Sequence, residues 1–192
     1  MLAVMPGRIS YVVGFDDFPF EHAHRSDVFV VGAVYAGVRL DGILRGTVRR
    51  DGANATSALA DLVARSKFAG SIQLVMLQGI ALAGFNVVDI HSLSRRLSLP
   101  VLVVTRRPPN METIRGTLLT HVRGGARKWR IIGRTGPMEP VAGVWVQRAG
   151  ISLHDAGDVI SRFAIHGNIP EPLRAAHLIA SGIGSGQSRG RV

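Results

Sequence analysis

The sequence predicts a mixed α/β fold, with three antiparallel strands followed by parallel strands, the sheet flanked by helices. Three observations point that way. Segments rich in β-branched residues come first, within residues 9–48, divided by the turn signal at Gly37 and closed by Asp51-Gly52. Two continuous apolar runs of strand length, residues 72–77 and 101–105, lie on either side of a helical pattern, which is the layout of a parallel crossover unit. After Pro108-Pro109 the pattern turns mainly helical.

Residues 9–15 form an apolar run interrupted by Gly14 and followed by Asp16 and Asp17. Residues 28–35, VFVVGAVY, suit a half-buried pleated surface, and residues 38–48 read as a weaker strand broken at Asp41-Gly42. Residues 56–67 set Ala58, Leu59, Leu62 and Val63 at helical spacing, with Asn54 or Thr56 as N-cap. The run 72–77, apolar apart from Gln73 and closed by Gln78-Gly79, is continuous rather than alternating from Leu74 on and so predicts a strand buried on both faces. Residues 87–97 read as a helix, and Pro100 introduces the strand 101–105. Residues 111–122 look helical, residues 123–134 are dominated by basic side chains, and residues 141–147 form a late strand. Residues 153–165 and 172–183 predict two closing helices. No internal repeat or linker divides the chain. Residues 1–183 are therefore read as one domain, and residues 184–192, rich in Gly, Ser and Arg, as a flexible tail.

Composition removes several classes of function. The 192 residues suffice for one domain with a real core. There is no cysteine, which excludes disulfide scaffolds, zinc fingers, thiol nucleophiles and iron–sulfur sites. No apolar run approaches the roughly 18 residues of a membrane span, and the opening MLAVMPGR is too short in apolar residues for a signal peptide. The expectation is a cytoplasmic protein with no membrane partner. The formal charge is +10, and 21 of the 23 basic residues are Arg, the two lysines being Lys67 and Lys128. Residues 1–96 hold 10 basic against 8 acidic side chains, whereas residues 97–192 hold 13 against 5. Carboxylates for a metal beside Arg for phosphate is how a nuclease is arranged. An Arg-rich genome would produce the same excess.

Among individual residues, Asp16 and Asp17 are adjacent carboxylates that repel unless exposed, and so invite a cation or a guanidinium. A solvated turn at a strand end explains them as well. Asp51 carries the same two readings, because Asp-Gly is a common turn pair. Residues 79–84, GIALAG, lack the Lys–Ser/Thr pair of a P-loop and the glycine spacing of a dinucleotide fingerprint. Their glycines indicate close backbone approach at a helix start. His22 and His24 straddle one residue and read as loop residues. His177 shares a helical face with Arg174 in IPEPLRAAHLIA, where a plain surface histidine is the simple reading.

The strings VGFDDFPF, QGIALAGFNVVDIHSLSRRLSLPVLVVTRRPP and GNIPEPLRAAHLIASGIGSGQSRGR together resemble the mainly archaeal endonuclease dU family, which is related to endonuclease V. The resemblance spans nearly the whole chain, and GFNVVDI and the PEPLR–AHLIA segment are its most specific parts. It implies a single endonuclease V-like domain of ribonuclease H-like fold. It also implies a DNA-repair endonuclease that cuts deoxyuridine-containing DNA, with acidic residues and Mg²⁺ or Mn²⁺. In the Gly-x-Asp pattern of endonuclease V the first-strand acid matches Asp16 after Gly14, and the third-strand acid matches Asp51, with Asp41 as fallback. The late helix motif matches Pro170-Glu171-Pro172, Arg174 and His177, and the basic residue closing the strand after Leu-Pro matches Arg106. One departure stands out. Endonuclease V has a metal-binding Asp before the Gly-rich loop, and here that place is Gln78. The aromatic wedge motif is also missing, LDGIL occupying that stretch.

The expected site therefore has Asp16, Asp51 and His177 as catalytic residues, with Asp16, Asp51 and Gln78 around the metal. Arg106, Arg107 and Arg174 hold the nucleic acid, DNA or RNA, with help from the basic stretch 123–134. Asp17 or Asp89 would have to compensate for the missing charge at Gln78. The alternative is a nucleic-acid-binding protein of the same fold with lost or attenuated catalysis. A small-ligand or protein-interaction role is the third reading.

Overall fold

The computed structural model describes residues 9–21 and 26–188; His22 and His24 lie outside the described residues. Strands β1 (Tyr11–Asp17), β2 (Asp27–Ala36) and β3 (Arg39–Arg49) form an antiparallel meander. Helix α1 (Ala55–Ala64) crosses to β4 (Leu74–Gln78), which pairs parallel with β1. A two-stranded hairpin, β5 (Ala81–Leu82) and β6 (Asn86–Val87), leads into α2 (Ile90–Leu97) and then β7 (Val101–Thr105), parallel to β4. Helices α3 (Met111–His121) and α4 (Gly125–Thr135) follow, then β8 (Glu139–Val141) and β9 (Val144–Ala149), and finally α5 (Leu153–Phe163) and α6 (Glu171–Ser185). The sheet order is β3-β2-β1-β4-β7-β9-β8. The predicted mixed sheet of antiparallel then parallel strands, flanked by helices, is what the chain builds.

Four local expectations are corrected. The helix expected from residue 87 starts at Ile90, because residues 81–87 form the β5–β6 hairpin instead. Gly79 and Gly84 therefore serve this hairpin rather than a helix start, both at positive φ of 82° and 81°. Helix α4 occupies most of the basic stretch 123–134. The late strand β9 runs antiparallel to β7 and folds back onto β8. At the other end, α6 continues through Ser185 into the segment read as tail.

Both faces of the sheet are covered, as continuous apolar strands require. Val13, Phe15, Val75 and Leu77 pack with α1 and α2 through Leu59, Val63, Ile90 and Leu93. On the opposite face Val12, Met76, Leu102 and Val146 pack with α5 and α6 through Ile160, Phe163, Leu173 and Ala176. Asn54 does not cap α1 with its side chain. That end is held by Asn86, fully buried, whose Oδ1 accepts from Ala55 N (3.0 Å) while its Nδ2 donates to Arg49 O and Asn54 Oδ1 (2.8 Å each).

The contact that places α6 is at Gly14. A Cβ there would lie 2.5 Å from the carbonyl carbon of Pro172 and 2.7 Å from Leu173 N. Backbone cannot yield as a flexible side chain does. Gly14→Ala should destabilise the fold by about 2–4 kcal/mol. The check is urea denaturation of the variant, and a midpoint equal to wild type would show that α6 moves aside freely.

Candidate active site

β1, β4 and β7 all end at one edge of the sheet, and the side chains that alternate there decide what it offers. Gly14 faces α6, so Asp16, two residues on, faces α6 too. The last β1–β4 partners are Phe15 and Leu77, so the next residues, Asp16 and Gln78, stand side by side. His177 comes down from α6, and its Nδ1 lies 2.8 Å from Asp16 Oδ2. An ionised carboxylate only accepts, so Nδ1–H donates and the lone pair is left on Nε2. Asp16 is 8% exposed. Burial pushes its carboxyl above the ordinary range, offset in part by the hydrogen bonds from His177 and from Asp17 N.

Two atoms of this cluster are buried without a partner among the described residues: Gln78 Oε1 and His177 Nε2. Orphaned buried acceptors are rare in native proteins and call for a ligand or ordered water. Asp16 Oδ, Gln78 Oε1 and His177 Nε2 are donor types that fit a divalent cation, though with only one formal charge among them. The structure thus joins Asp16, His177 and Gln78 at one edge.

Asp51 has other partners. It sits at φ 48° in the turn after β3; its Oδ1 accepts from Phe85 N (2.8 Å) and its Oδ2 lies 3.3 Å from Arg50 Nε. Lys128 Nζ donates to its carbonyl oxygen at 2.5 Å. The fallback, Asp41, is bonded to the Tyr11 hydroxyl and to Arg39, at the end of β1 away from Asp16. Asp89 caps α2 through Ser92 N (2.9 Å) and reaches Arg134. Asp17 accepts from Ala83 N at 2.9 Å, on the sheet face opposite Asp16. Burial, reinforced by the Asp16 charge, pushes the Asp17 carboxyl up to about 6. Asp17 and Asp51 therefore hold the β5–β6 hairpin from its two sides.

Arg174 lies on α6 one turn before His177, its Nε bonded to both oxygens of the buried Glu171 at 2.9 and 3.0 Å. His166 Nδ1 adds a third contact at 3.0 Å. Burial opposes ionisation of Glu171, but the Arg174 and His166 hydrogen bonds outweigh it and hold the carboxyl below its ordinary value. Sequence reasoning missed this cluster, whose only signal was Glu171 three residues before Arg174. Arg106 and Arg107 stand exposed just past β7, with no carboxylate partner among the described residues. Beside the Asp16 edge, Phe18 and Phe29 pack at a tilt of 58° with 5.5 Å between ring centroids, and Arg45 lies 3.9 Å over the Phe29 ring. Phe18 and Phe29 help line a cavity of about 500 Å³. Among the described residues one group of acids and histidine clusters tightly, His154, Asp155 and Asp158, on the exposed side of α5 and away from this edge. No helix of the described residues is long and apolar enough to cross a membrane.

A sheet of this order, three antiparallel strands followed by parallel ones and flanked by helices, is a ribonuclease H-like fold. Structures of that kind match over most of their length: the endonuclease V of Ciona intestinalis, bound to a 24mer DNA containing inosine followed by ribo-adenosine, has TM-score 0.55 at 14% identity, covering 88% of this chain and 83% of that one. Human endonuclease V has TM-score 0.54 at 16% identity, covering 90% and 83%. The chain belongs to the endonuclease dU family, whose sequence pattern matches residues 9–184. A UPF0215 protein of Deinococcus radiodurans is 55% identical over 184 residues, covering 96% of this chain and 94% of the relative. A crystal structure of a protein of unknown function from Archaeoglobus fulgidus has TM-score 0.84 at 34% identity, covering 91% and 98%.

The Asp17 carboxyl gives this site a pH signature. Its folded value of about 6 exceeds the ordinary 3.8, so the penalty for ionising it is absent below about pH 4 and complete above pH 6. Asp17→Asn keeps an acceptor for Ala83 N and removes that penalty. It should raise stability at neutral pH by on the order of 1–2 kcal/mol, allowing for partial exposure, and by nothing near pH 4. Thermal melts with EDTA present test this; a gain that is the same at both pH values would contradict it.

Proposed function

We propose that the protein is a metal-dependent endonuclease that cuts DNA at deaminated bases, deoxyuridine foremost, and serves DNA repair in the cytoplasm. The observation that carries this reading is the Asp16–His177 contact beside the two orphaned atoms, Gln78 Oε1 and His177 Nε2. The family description, endonuclease dU, and the inosine-containing DNA in the Ciona complex supply the substrate class.

Asp16 and Gln78 are the residues that would hold Mg²⁺ or Mn²⁺, with Asp51 supporting the shell through the hairpin it fixes. A divalent cation held there would activate a water and would neutralise charge on the leaving oxygen. The rest falls to the chain. His177 Nε2 takes a proton from the attacking water as the new P–O bond forms and the bond to the leaving oxygen breaks. Asp16 stabilises the imidazolium that results, because burial makes their contact strong. Arg106, Arg107 and Arg174 engage the phosphates around the cut, Arg174 being held in place by Glu171. A base flipped out of the duplex needs an apolar surface to stack on, and Phe18 and Phe29 offer one next to Asp16.

Gln78 favours a second reading, a nucleic-acid-binding protein of the same fold with attenuated chemistry. The neutral amide removes one charge from a cation site, and hard cations depend on carboxylate charge. A nicking assay on duplexes carrying uracil, hypoxanthine or no lesion, with and without Mg²⁺ or Mn²⁺, separates the two readings. Cleavage confined to lesion duplexes with metal is the expected result. Asp16→Ala should abolish cutting while leaving binding within a few-fold; retained cutting would rule out this site. Gln78→Asp should raise the rate at limiting metal, whereas an unchanged metal dependence would place the cation elsewhere.

A further inference from the structure

A second cavity, larger than the one beside the Asp16 edge, lies elsewhere on the molecule. It is an open cleft of about 1060 Å³ on the α1–α2 side of the sheet, walled by the β3–α1 turn, α2 and α4. Eight basic side chains line it against two acids, Asp51 and Asp89. Both acids are already engaged, Asp51 with Phe85 N and Arg50, Asp89 with Ser92 N and Arg134. Arg96, Arg123, Arg127 and Arg130 are exposed and have no carboxylate partner among the described residues. Four guanidinium groups without carboxylate partners facing one cleft repel one another and attract an anion of matching charge. The N-terminal turn of α4 opens onto the same space at Gly124, with no acidic residue in its first turn.

What lines the cleft also narrows the ligand. No aromatic residue is present, the larger apolar side chains being Val87 and Ile131, so there is no platform on which bases would stack. The lining therefore suits several closely spaced phosphates rather than bases. It is tied to the Asp16 edge by the β5–β6 hairpin: Asp51, in the cleft wall, holds Phe85 N, and Asp17, next to Asp16, holds Ala83 N. Asp16, Gln78, His177, Arg106, Arg107 and Arg174 are not part of its lining.

We infer that this cleft is a second nucleic-acid site, which grips the sugar–phosphate backbone of a DNA strand beyond the cut position without regard to sequence. The inference rests on the reading of the protein as one that acts on nucleic acid, but not on its catalysing cleavage. A free polyphosphate presents the same spaced anions and is the alternative source of the ligand.

The test uses the full chain in EDTA, so that no cutting occurs, and follows anisotropy of a fluorescent DNA of mixed sequence, about 20 nucleotides long, over a salt series. The double variants Arg127→Ala/Arg130→Ala and Arg96→Ala/Arg123→Ala each remove two cleft cations. Arg65→Ala/Lys67→Ala removes the same charge outside the cleft and is the control. Each cleft pair should weaken binding about tenfold near 0.1 M salt and lower the slope of log K against log salt by about 1.5–2. The control should keep the wild-type slope, and all three variants should melt like wild type. Cleft pairs that behave like the control would overturn the inference. So would inorganic polyphosphate binding that depends on the cleft pairs while DNA binding does not. If wild type binds in this way yet never cuts lesion DNA, the proposed activity fails and the cleft stands. If it cuts but the cleft pairs bind normally, the reverse holds.

Discussion

A missing side chain at Gly14 sets the arrangement on which the site depends. Because β1 has no Cβ there, the first turn of α6 lies directly on the strand, and Pro172 fits that turn because it needs no N–H partner. From Pro172 to His177 is about one and a half helical turns. The climb of the helix therefore matches the two-residue advance of the strand from Gly14 to Asp16. The 2.8 Å contact between His177 and Asp16 is a consequence of that close packing, not of any local preference of either residue. Apolar residues hold the register: Leu173, Ala176 and Ala180 are fully or almost fully buried against the sheet.

The β5–β6 hairpin is the second joint. It has only two residues in each strand and cannot be stable alone. Side chains from elsewhere hold it: Asp17 at Ala83 N, Asp51 at Phe85 N, and Asn86 reaching back to Arg49, Asn54 and Ala55. Gly84 is required here, since a Cβ at its positive φ would come within 2.5 Å of Asp51 Oδ1. Acids that looked like metal ligands in isolation are thus partly backbone fasteners. A carboxylate bonded to a main-chain N–H keeps only part of its accepting capacity for a cation.

Much of the fold is legible because its central parallel strands are almost wholly apolar and several helices carry ordinary periodicity. Residues 101–105 match β7 residue for residue and residues 72–77 overlap β4 from Leu74 on, since only burial on both faces tolerates such runs. α4 is harder to see. Gly125, Lys128, Ile132 and Thr135 recur at spacings of three and four and form its buried stripe, but a lysine stands in that stripe on a helix with three other cations. Lys128 can be buried only because Asp51 O accepts its ammonium, a contact across 77 residues that no local pattern announces. The site divides the same way. Asp16 and His177 are candidates by type and by family resemblance, yet their meeting spans 161 residues and follows from packing. The Glu171–His166–Arg174 cluster and the alternative partners of Asp51 depend wholly on tertiary structure.

The amide at position 78 becomes intelligible once Asp16 and Asp17 are seen as they are. Asp16 is already buried and its charge already disfavoured, while Asp17 on the other face is pushed up to about 6 partly by that neighbour. A third carboxylate at position 78 would stand directly beside Asp16 in the parallel register. Two like charges in a desolvated strand edge cannot both ionise cheaply without a cation between them. Glutamine keeps an oxygen in the same place and avoids that repulsion, so the metal-free protein does not bear the strain that a full carboxylate pair would impose. For the cation of the proposed mechanism, the consequence would be a weaker hold from this side of the sheet. On the proposed function, a protein built this way gains by drawing its affinity for nucleic acid from elsewhere on its surface. The four guanidinium groups without a carboxylate partner in the α4 cleft are where we infer that affinity to lie.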